Sequence, residues 1–247
     1  MLGKLPRIAL ILSAMLFSIA LAICEDARQG TQTSVGLDWP RWRGVNGDGV
    51  SSETAWNPKA LQGNVKVLWK ANVGIGFSGV VIQNNRLYMI GLAGSENIVV
   101  CLDAHTGGVI WKNSIKGAWA PPQSTLTIDG DRLYCVTQNS GLFCLSLANG
   151  KIVRKSGELW RRLRPARGHA ASPVVADTLL LVNASSDGMA FDKMTGAVKW
   201  EMLGDHPKES WGSIATPAVS EIGGVRNVIF LGPVTLSAMD LATGKRL

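Results

Sequence analysis

An all-β chain assembled from a repeated unit of four short strands is what this sequence predicts, and three observations predict it. First, a turn motif recurs. "CLDAHTGGVIW" (101–111) and "AFDKMTGAVKW" (190–200) share an Asp, then Thr-Gly three residues on, then a Trp four past the Gly. "AMDLATGKRL" (238–247) follows the same order up to Leu247. "CLSLANGKIVR" (144–154) is a worn copy with Ser146, Asn149 and Arg154 in place of Asp, Thr and Trp. Second, the turn glycines Gly107, Gly150, Gly196 and Gly244 are 43, 46 and 48 residues apart, a period that belongs to propellers and solenoids. Third, no stretch of real length carries the i, i+3, i+4 apolar spacing of an amphipathic helix.

Taken from the N-terminus, the first element is a targeting segment. Lys4 and Arg7 precede an unbroken apolar run over 8–23, and "ALA" at 20–22 offers small residues for cleavage. This predicts a secretory signal peptide over 1–22. The run is short for a membrane span of ~20 residues, and no later stretch could cross a bilayer, so no transmembrane segment is expected after signal removal. "LAIC" (21–24) resembles a lipidation box, but Ile23 sits where such boxes want a small residue, so a lipid anchor at Cys24 is the lesser alternative. Residues 23–60 form a leader containing "WPRWRGVNGDGVS" (39–51), and the repeats occupy 61–247. "NGDG" (46–49) resembles a calcium loop but lacks its flanking carboxylates, so a tight turn is expected there.

The strands of each unit follow. The first reads "SGVVIQNNRLYMIG", then "IVVCLD", the turn, and "GVIWK". The second reads "STLTIDGDRLYCVT", with a hairpin at Asp129-Gly130, then "GLFCLSL". The third has "SPVVADTLLLVNAS" and "GMAFD"; the fourth has "TPAVSEIGGVRNVIFLG" and "TLSAMD". Four apolar runs per unit, parted by Gly, Asn or Asp, describe a four-stranded meander. "VLWK" (67–70) matches "VIWK" (109–112) and reads as an outer strand that arrives before any complete unit.

Within the motif, Asp103, Asp192 and Asp240 end a strand and can accept bonds from the next turn's amides or from the hydroxyls of Thr106, Thr195 and Thr243. Gly107, Gly150, Gly196 and Gly244 supply positive φ. Trp111 and Trp200 lie on the outermost strand, where an indole can fill the gap between neighbouring sheets. None of this is catalytic.

These residues resemble the PQQ-like β-propeller repeat family, named for pyrroloquinoline quinone and of the exported type. Its Ala-x-Asp-x-x-Thr-Gly-x-x-x-Trp pattern is matched at every fixed position by 190–200, and by 101–111 except for Cys101. The resemblance covers about 38–247 and implies a β-propeller of four-stranded antiparallel blades. Its members include quinoprotein dehydrogenases and the outer-membrane-protein assembly lipoprotein, to which this chain is similar. About four blades are present. They make either a part of a seven- or eight-bladed ring, incomplete at its C-terminal end, or a four-bladed ring in which 67–70 completes the blade of 239–247.

Candidate sites are few. The net charge is +7, nearer +5 once Lys4 and Arg7 leave. The basic run Arg161, Arg162, Arg164, Arg167, with Trp119, is the expected partner surface, and an anionic ligand is its natural guest. Nucleic acid is not expected of an exported chain without a binding motif. His105, His169 and His206 are too scattered for a metal site. Cys135 and Cys144 would lie opposite each other if Asn139-Ser140 formed a two-residue hairpin, which would allow a disulfide; a one-residue change of register would separate them.

The resemblance to quinoprotein dehydrogenases implies a quinone on the axis, Ca²⁺ held by carboxylates and amides, and an Asp base. No adjacent acid–amide cluster stands out, and Asp38, Asp48, Asp103, Asp192 and Asp240 are better explained as turn residues. Trp119, Trp160 and Trp211 are loop residues able to line an axial surface. The reading is therefore a non-catalytic binding or scaffold module of the cell envelope, periplasmic or extracellular, with a protein or envelope component as partner and no cofactor. The alternatives are a pyrroloquinoline-quinone-dependent alcohol or sugar dehydrogenase using calcium, and the extracellular sensor domain of a signalling protein.

Overall fold

The computed structural model describes residues 38–54, 57–63, 65–118, 120–138, 141–156, 169–183, 188–202, 214–232 and 235–247. The expected signal segment (1–22), Cys24, Trp119, Trp160, the Arg161–Arg167 run, His206 and Trp211 lie outside them. The described residues belong to one compact unit, Gly36–Leu247.

Among the described residues, fifteen strands and one 3-10 turn (Pro58–Gln62) make up the regular structure. Strands β1 (Val81–Gln83), β2 (Arg86–Ala93), β3 (Glu96–Asp103) and β4 (Val109–Lys116) pair in sequence order as an antiparallel sheet. β5 (Thr127–Asp129), β6 (Arg132–Val136), β7 (Leu142–Ser146) and β8 (Ile152–Ser156) repeat the arrangement, and so do β9 (Val174–Ala176), β10 (Leu179–Val182), β11 (Gly188–Asp192) and β12 (Val198–Met202). The fourth sheet has three strands, β13 (Ala218–Ile222), β14 (Val225–Leu231) and β15 (Leu236–Asp240). The molecule is all-β, an arc of propeller blades.

Local chemistry sets each meander. The inner hairpins turn on residues that tolerate positive φ: Asn84 and Asn85, Gly130, Asp177, and the Gly223-Gly224 pair. The outer pair of each complete sheet carries a β-bulge at the same place, at Cys101/Leu102, Cys144/Leu145 and Ala190/Phe191. The bulge follows the residue that faces Trp111, Arg154 or Trp200.

The core lies between sheets, which is why the middle strands are apolar on both faces. Tyr88, Ile90, Val99 and Cys101 of the first sheet pack against Leu133, Cys135, Phe143 and Leu145 of the second. Tyr134, Val136, Leu142 and Cys144 then meet Leu180, Val182, Met189 and Phe191. Leu181 and Ala190 meet Val228, Phe230 and Met239. Gly188 is part of this seam, since a Cβ there would lie 2.4 Å from the Phe230 ring.

Two expectations need correction. Cys135 pairs with Phe143, and Cys144 with Tyr134. The β6–β7 connection closes through Thr137 N–H to Gly141 O (3.0 Å), which moves the register by one residue from a two-residue hairpin. The two thiols therefore point to opposite faces of the sheet and are free. No Cys135–Cys144 disulfide exists. Residues 67–70 form no strand, and among the described residues nothing pairs them with 239–247, whose own contact is a single Met239–Arg246 bridge. The four-bladed closure is absent.

Candidate functional site

Two sets of hydrogen bonds hold the sheets in an arc and define where a ligand could sit. On the outer rim, each turn is locked internally. Asp103 Oδ1 accepts from Thr106 N–H (2.8 Å) and Thr106 Oγ1 (2.8 Å), and Asp240 Oδ1 from Thr243 N–H (2.8 Å) and Oγ1 (2.6 Å). Asp192 Oδ1 accepts from Thr195 N–H at 2.8 Å. These bonds hold all three carboxyls below the ordinary carboxylate range, Asp192 at about 2.

Each lock presents a glycine that a side chain from the preceding repeat covers, an indole at Gly107, Gly150 and Gly244 and Arg154 at Gly196. Trp111 Nε1 donates to Leu147 O (3.1 Å), and its ring lies where a Cβ on Gly150 would be, 2.4 Å away. Trp200 treats Leu241 O and Gly244 in the same way. So does Trp69, which donates to Ala104 O (3.1 Å) above Gly107 although its own segment has no sheet. In the worn copy Arg154 replaces the indole, donating to Lys193 O (2.8 Å) and to Met194 O over Gly196. This rim of clasps is structural.

The inner rim is different. Gly79 N–H donates to Thr125 Oγ1 (2.8 Å), Thr125 N–H to Ser172 Oγ (2.9 Å), and Ser172 N–H to Thr216 Oγ1 (3.0 Å). One hydroxyl per sheet thus forms a rung to its neighbour. The sequence carries this signal as Ser or Thr ahead of each inner strand at separations of 47 and 44 residues, but the reading by turn motif alone passed over it.

The leader crosses this inner rim. Trp39 exchanges both backbone bonds with Ile82 of β1 (2.8 and 2.9 Å), and Pro40 O accepts from Ile128 N–H of β5 (2.8 Å). It then coils on itself. Arg41 donates to Gly44 O (3.1 Å) and Val45 O (2.6 Å), and Arg43 to Asp48 O (2.9 Å). The 46–49 stretch is a turn, with Gly47 and Gly49 at positive φ and Asp48 Oδ1 accepting from Val50 N–H (2.9 Å).

Between leader and inner strands lies a cavity of about 960 Å³, lined by Arg41, Trp42, Arg43 and Asn46 on one side and by Thr125, Ser172, Thr216 and Val219 among others on the opposite side. Trp42, Phe77 and Ile214 stand at it as exposed apolar surface. Burial lowers the pKa of Arg41, whose guanidinium already donates to Gly44 O and Val45 O. Sequence reasoning missed Arg41, Trp42 and Arg43 because the contact joins segments more than eighty residues apart.

The donor set tests the quinone reading. Calcium takes six to eight oxygens, carboxylates foremost; the described lining has two guanidinium groups and no carboxylate. The described lining does not fit calcium. His169, buried beside it, is held neutral by desolvation with its pKa pushed down to about 4. Its backbone is bracketed by the Gln138 amide (2.8 and 3.3 Å). His105 is an exposed turn residue whose N–H donates to Asp103. Among the described residues no three His, Cys, Asp or Glu side chains converge on a point.

Comparison with known proteins places this architecture. The family model described as outer membrane protein assembly factor BamB matches residues 60–156 and 96–247, and the chain belongs to this PQQ-like repeat family. Tetrathionate hydrolase of Acidithiobacillus ferrooxidans is 29% identical over 209 residues, which is 74% of this chain and 38% of that protein. The crystal structure of BamB from Moraxella catarrhalis shares the fold with a TM-score of 0.53 and 22% identity, over 70% of this chain and 49% of that one. Quinohemoprotein alcohol dehydrogenase from Comamonas testosteroni does so with a TM-score of 0.62 and 15% identity, over 90% and 42%. The chain spans less than half the length of each. No helix among the described residues is long and apolar enough to cross a membrane.

Proposed function

We propose that this chain is a non-catalytic PQQ-like propeller module, exported to the cell envelope by its first 22 residues, that holds an acidic polypeptide segment in the cavity between leader and inner strands. The observation that carries the reading is the composition of that cavity. Its charged groups among the described residues are the guanidiniums of Arg41 and Arg43, its mouth is Trp42, Phe77 and Ile214, and the hydroxyls of Thr125, Ser172 and Thr216 each accept a rung while keeping an O–H to donate. The carboxylates of the repeat motif are engaged in turns on the other rim. Such a surface takes an anionic chain with an aromatic or aliphatic side chain, and its described lining carries no carboxylate, cysteine or histidine to act on it. Kinship with BamB-like proteins supports a protein partner; the fold is equally that of dehydrogenases, so the argument rests on the site.

The test has two arms. Titration of the purified chain with acidic, aromatic-containing peptides is expected to give saturable binding that Trp42→Ala or Phe77→Ala weakens at least about tenfold, near 1.4 kcal/mol. Addition of pyrroloquinoline quinone and Ca²⁺ is expected to give no bound quinone spectrum and no dye reduction. Dye reduction, or peptide binding indifferent to both substitutions, defeats the proposal.

A further inference from the structure

The innermost strands β1, β5, β9 and β13 are edges, and the turns that follow them fix which backbone groups face inward. Each of the four hairpins has a two-residue connection, and the residue before it pairs with the residue after it. In such a hairpin the closing pair exchanges its bonds within the sheet, and alternate residues turn N–H and C=O away from the partner strand. Ile82, Ile128 and Val175 stand one residue before the closing pair, and Val219 stands three before it. All four therefore turn their backbone groups out of the ladder, toward the inner rim.

The leader uses two of these edges. Trp39 N–H donates to Ile82 O (2.8 Å), Trp39 O accepts from Ile82 N–H (2.9 Å), and Pro40 O accepts from Ile128 N–H (2.8 Å). Successive carbonyls of an extended chain point to opposite sides, so the Trp39-Pro40 step is a wedge between β1 and β5. Between β5 and β9 the notch is closed by a side chain, because Thr127 Oγ1 donates to Pro173 O (2.6 Å). Val81 and Val174 hold the position of Thr127 on β1 and β9 and have no hydroxyl to do the same. The notch between β9 and β13 is thus the counterpart of the one the leader fills. The same kind of rung spans both, Gly79 N–H to Thr125 at 2.8 Å and Ser172 N–H to Thr216 at 3.0 Å. Among the described residues no group accepts from Val175 or Val219 N–H, and Val174 and Val219 line the cavity.

We infer that the acidic segment binds as an extended strand wedged between β9 and β13, two successive carbonyls accepting from Val175 and Val219 N–H as those of Trp39 and Pro40 accept from Ile82 and Ile128. This rests on the reading of the cavity as a site for an acidic polypeptide, and adds the conformation and register in which that polypeptide is held. The first residue of the pair needs its own N–H, to reach Val175 O as Trp39 reaches Ile82 O. The second does not, and proline is allowed there as it is at Pro40. Acidic neighbours of the pair meet Arg41 and Arg43, in a described lining that carries no carboxylate. A helical partner cannot use these edges, because its interior carbonyls are already bonded within the helix.

The probe is the peptide acetyl-Asp-Trp-Pro-Glu-amide, which keeps the order of Asp38, Trp39 and Pro40 and puts an acid at the place of Arg41. In the free chain the amides of Val175 and Val219 are expected to exchange with solvent faster than those of Ile82 and Ile128. Saturating peptide is expected to slow both at least about tenfold. N-methylation of the peptide's Trp nitrogen is expected to weaken binding at least about tenfold. Val219→Pro removes one donor from an edge strand at a position where proline leaves the ladder intact, and is expected to weaken binding to a like degree with an unchanged circular dichroism spectrum. Should that variant not fold, the exchange measurement on the parent chain decides. Saturable binding that depends on Trp42 but leaves exchange at Val175 and Val219 unchanged overturns the wedge alone, and the cavity reading stands. No binding of the peptide overturns both. Amides of Val175 and Val219 as slow as that of Ile82 in the free chain also overturn the inference, as does an N-methylated peptide, or a folded Val219→Pro chain, that binds as well as its parent.

Discussion

His169 shows how a single side chain can set a pH limit for the fold. Its imidazole is 3% exposed and desolvation pushes its pKa down to about 4, from 6.5 in the unfolded chain. A base that is harder to protonate when folded supports stability fully above the unfolded pKa, and loses that support as pH falls toward the folded one. The window is therefore pH 6.5 to about 4, and a shift of this size corresponds to roughly 3 kcal/mol. Thermal unfolding midpoints are expected to drop across that window, and His169→Gln is expected to flatten the drop. Acid loss from Asp103, Asp192 and Asp240 has the same direction but begins lower, as pH falls to the ordinary carboxylate value of 3.8, and runs down to the folded values that their Thr partners depress. The two contributions separate on the pH axis.

At the scale of the element, the clasp is a motif with one natural substitution already made. Arg154 reaches the same carbonyl position as the indoles, through Lys193 O, but its Nε is buried without a partner. An unpaired buried donor costs about 1–3 kcal/mol. Arg154→Trp is thus expected to leave the thermal midpoint unchanged or raise it, and Arg154→Ala to lower stability by about 1–2 kcal/mol, as denaturant titration would show. The same element explains what was legible beforehand. The clasp could be read because Asp, Thr, Gly and Trp are local and recur. The cysteine register could not, because it depends on how Thr137 and Gly141 close a connection, which composition does not fix. Nor could the cavity, whose walls come from the leader and from the segments that lead into the inner strands of all four sheets. Trp69 was recognisable as an outer-strand residue, but its lack of a paired strand is a tertiary fact.

For the whole molecule, stability resides in seams between sheets and hardly at all within a sheet alone. The middle strands of the second and third sheets bury both faces, one toward each neighbour. Opening a single seam exposes two apolar faces together, so the sheets are expected to melt as one cooperative body. Trp111→Ala and Trp200→Ala each remove a half-buried indole and its bond to the next sheet, a loss of about 3 kcal/mol by analogy with other large-to-small changes. The double variant is expected to sum these losses, the sites being on different seams. Differential scanning calorimetry checks both points; separate transitions for separate sheets would contradict the seam picture.

The rungs and clasps share a direction. Gly79, Thr125 and Ser172 amides donate forward in the chain, and so do the indoles of Trp69, Trp111 and Trp200. During vectorial synthesis each sheet emerges holding donors whose acceptors have yet to appear. It must wait for the following forty-odd residues before its hydrogen bonds can be completed, so the nascent chain always trails one unsatisfied sheet at its growing end. A pause in translation or translocation inside the repeats would lengthen that exposure, and chaperones that shield free strand edges would be needed most at that moment.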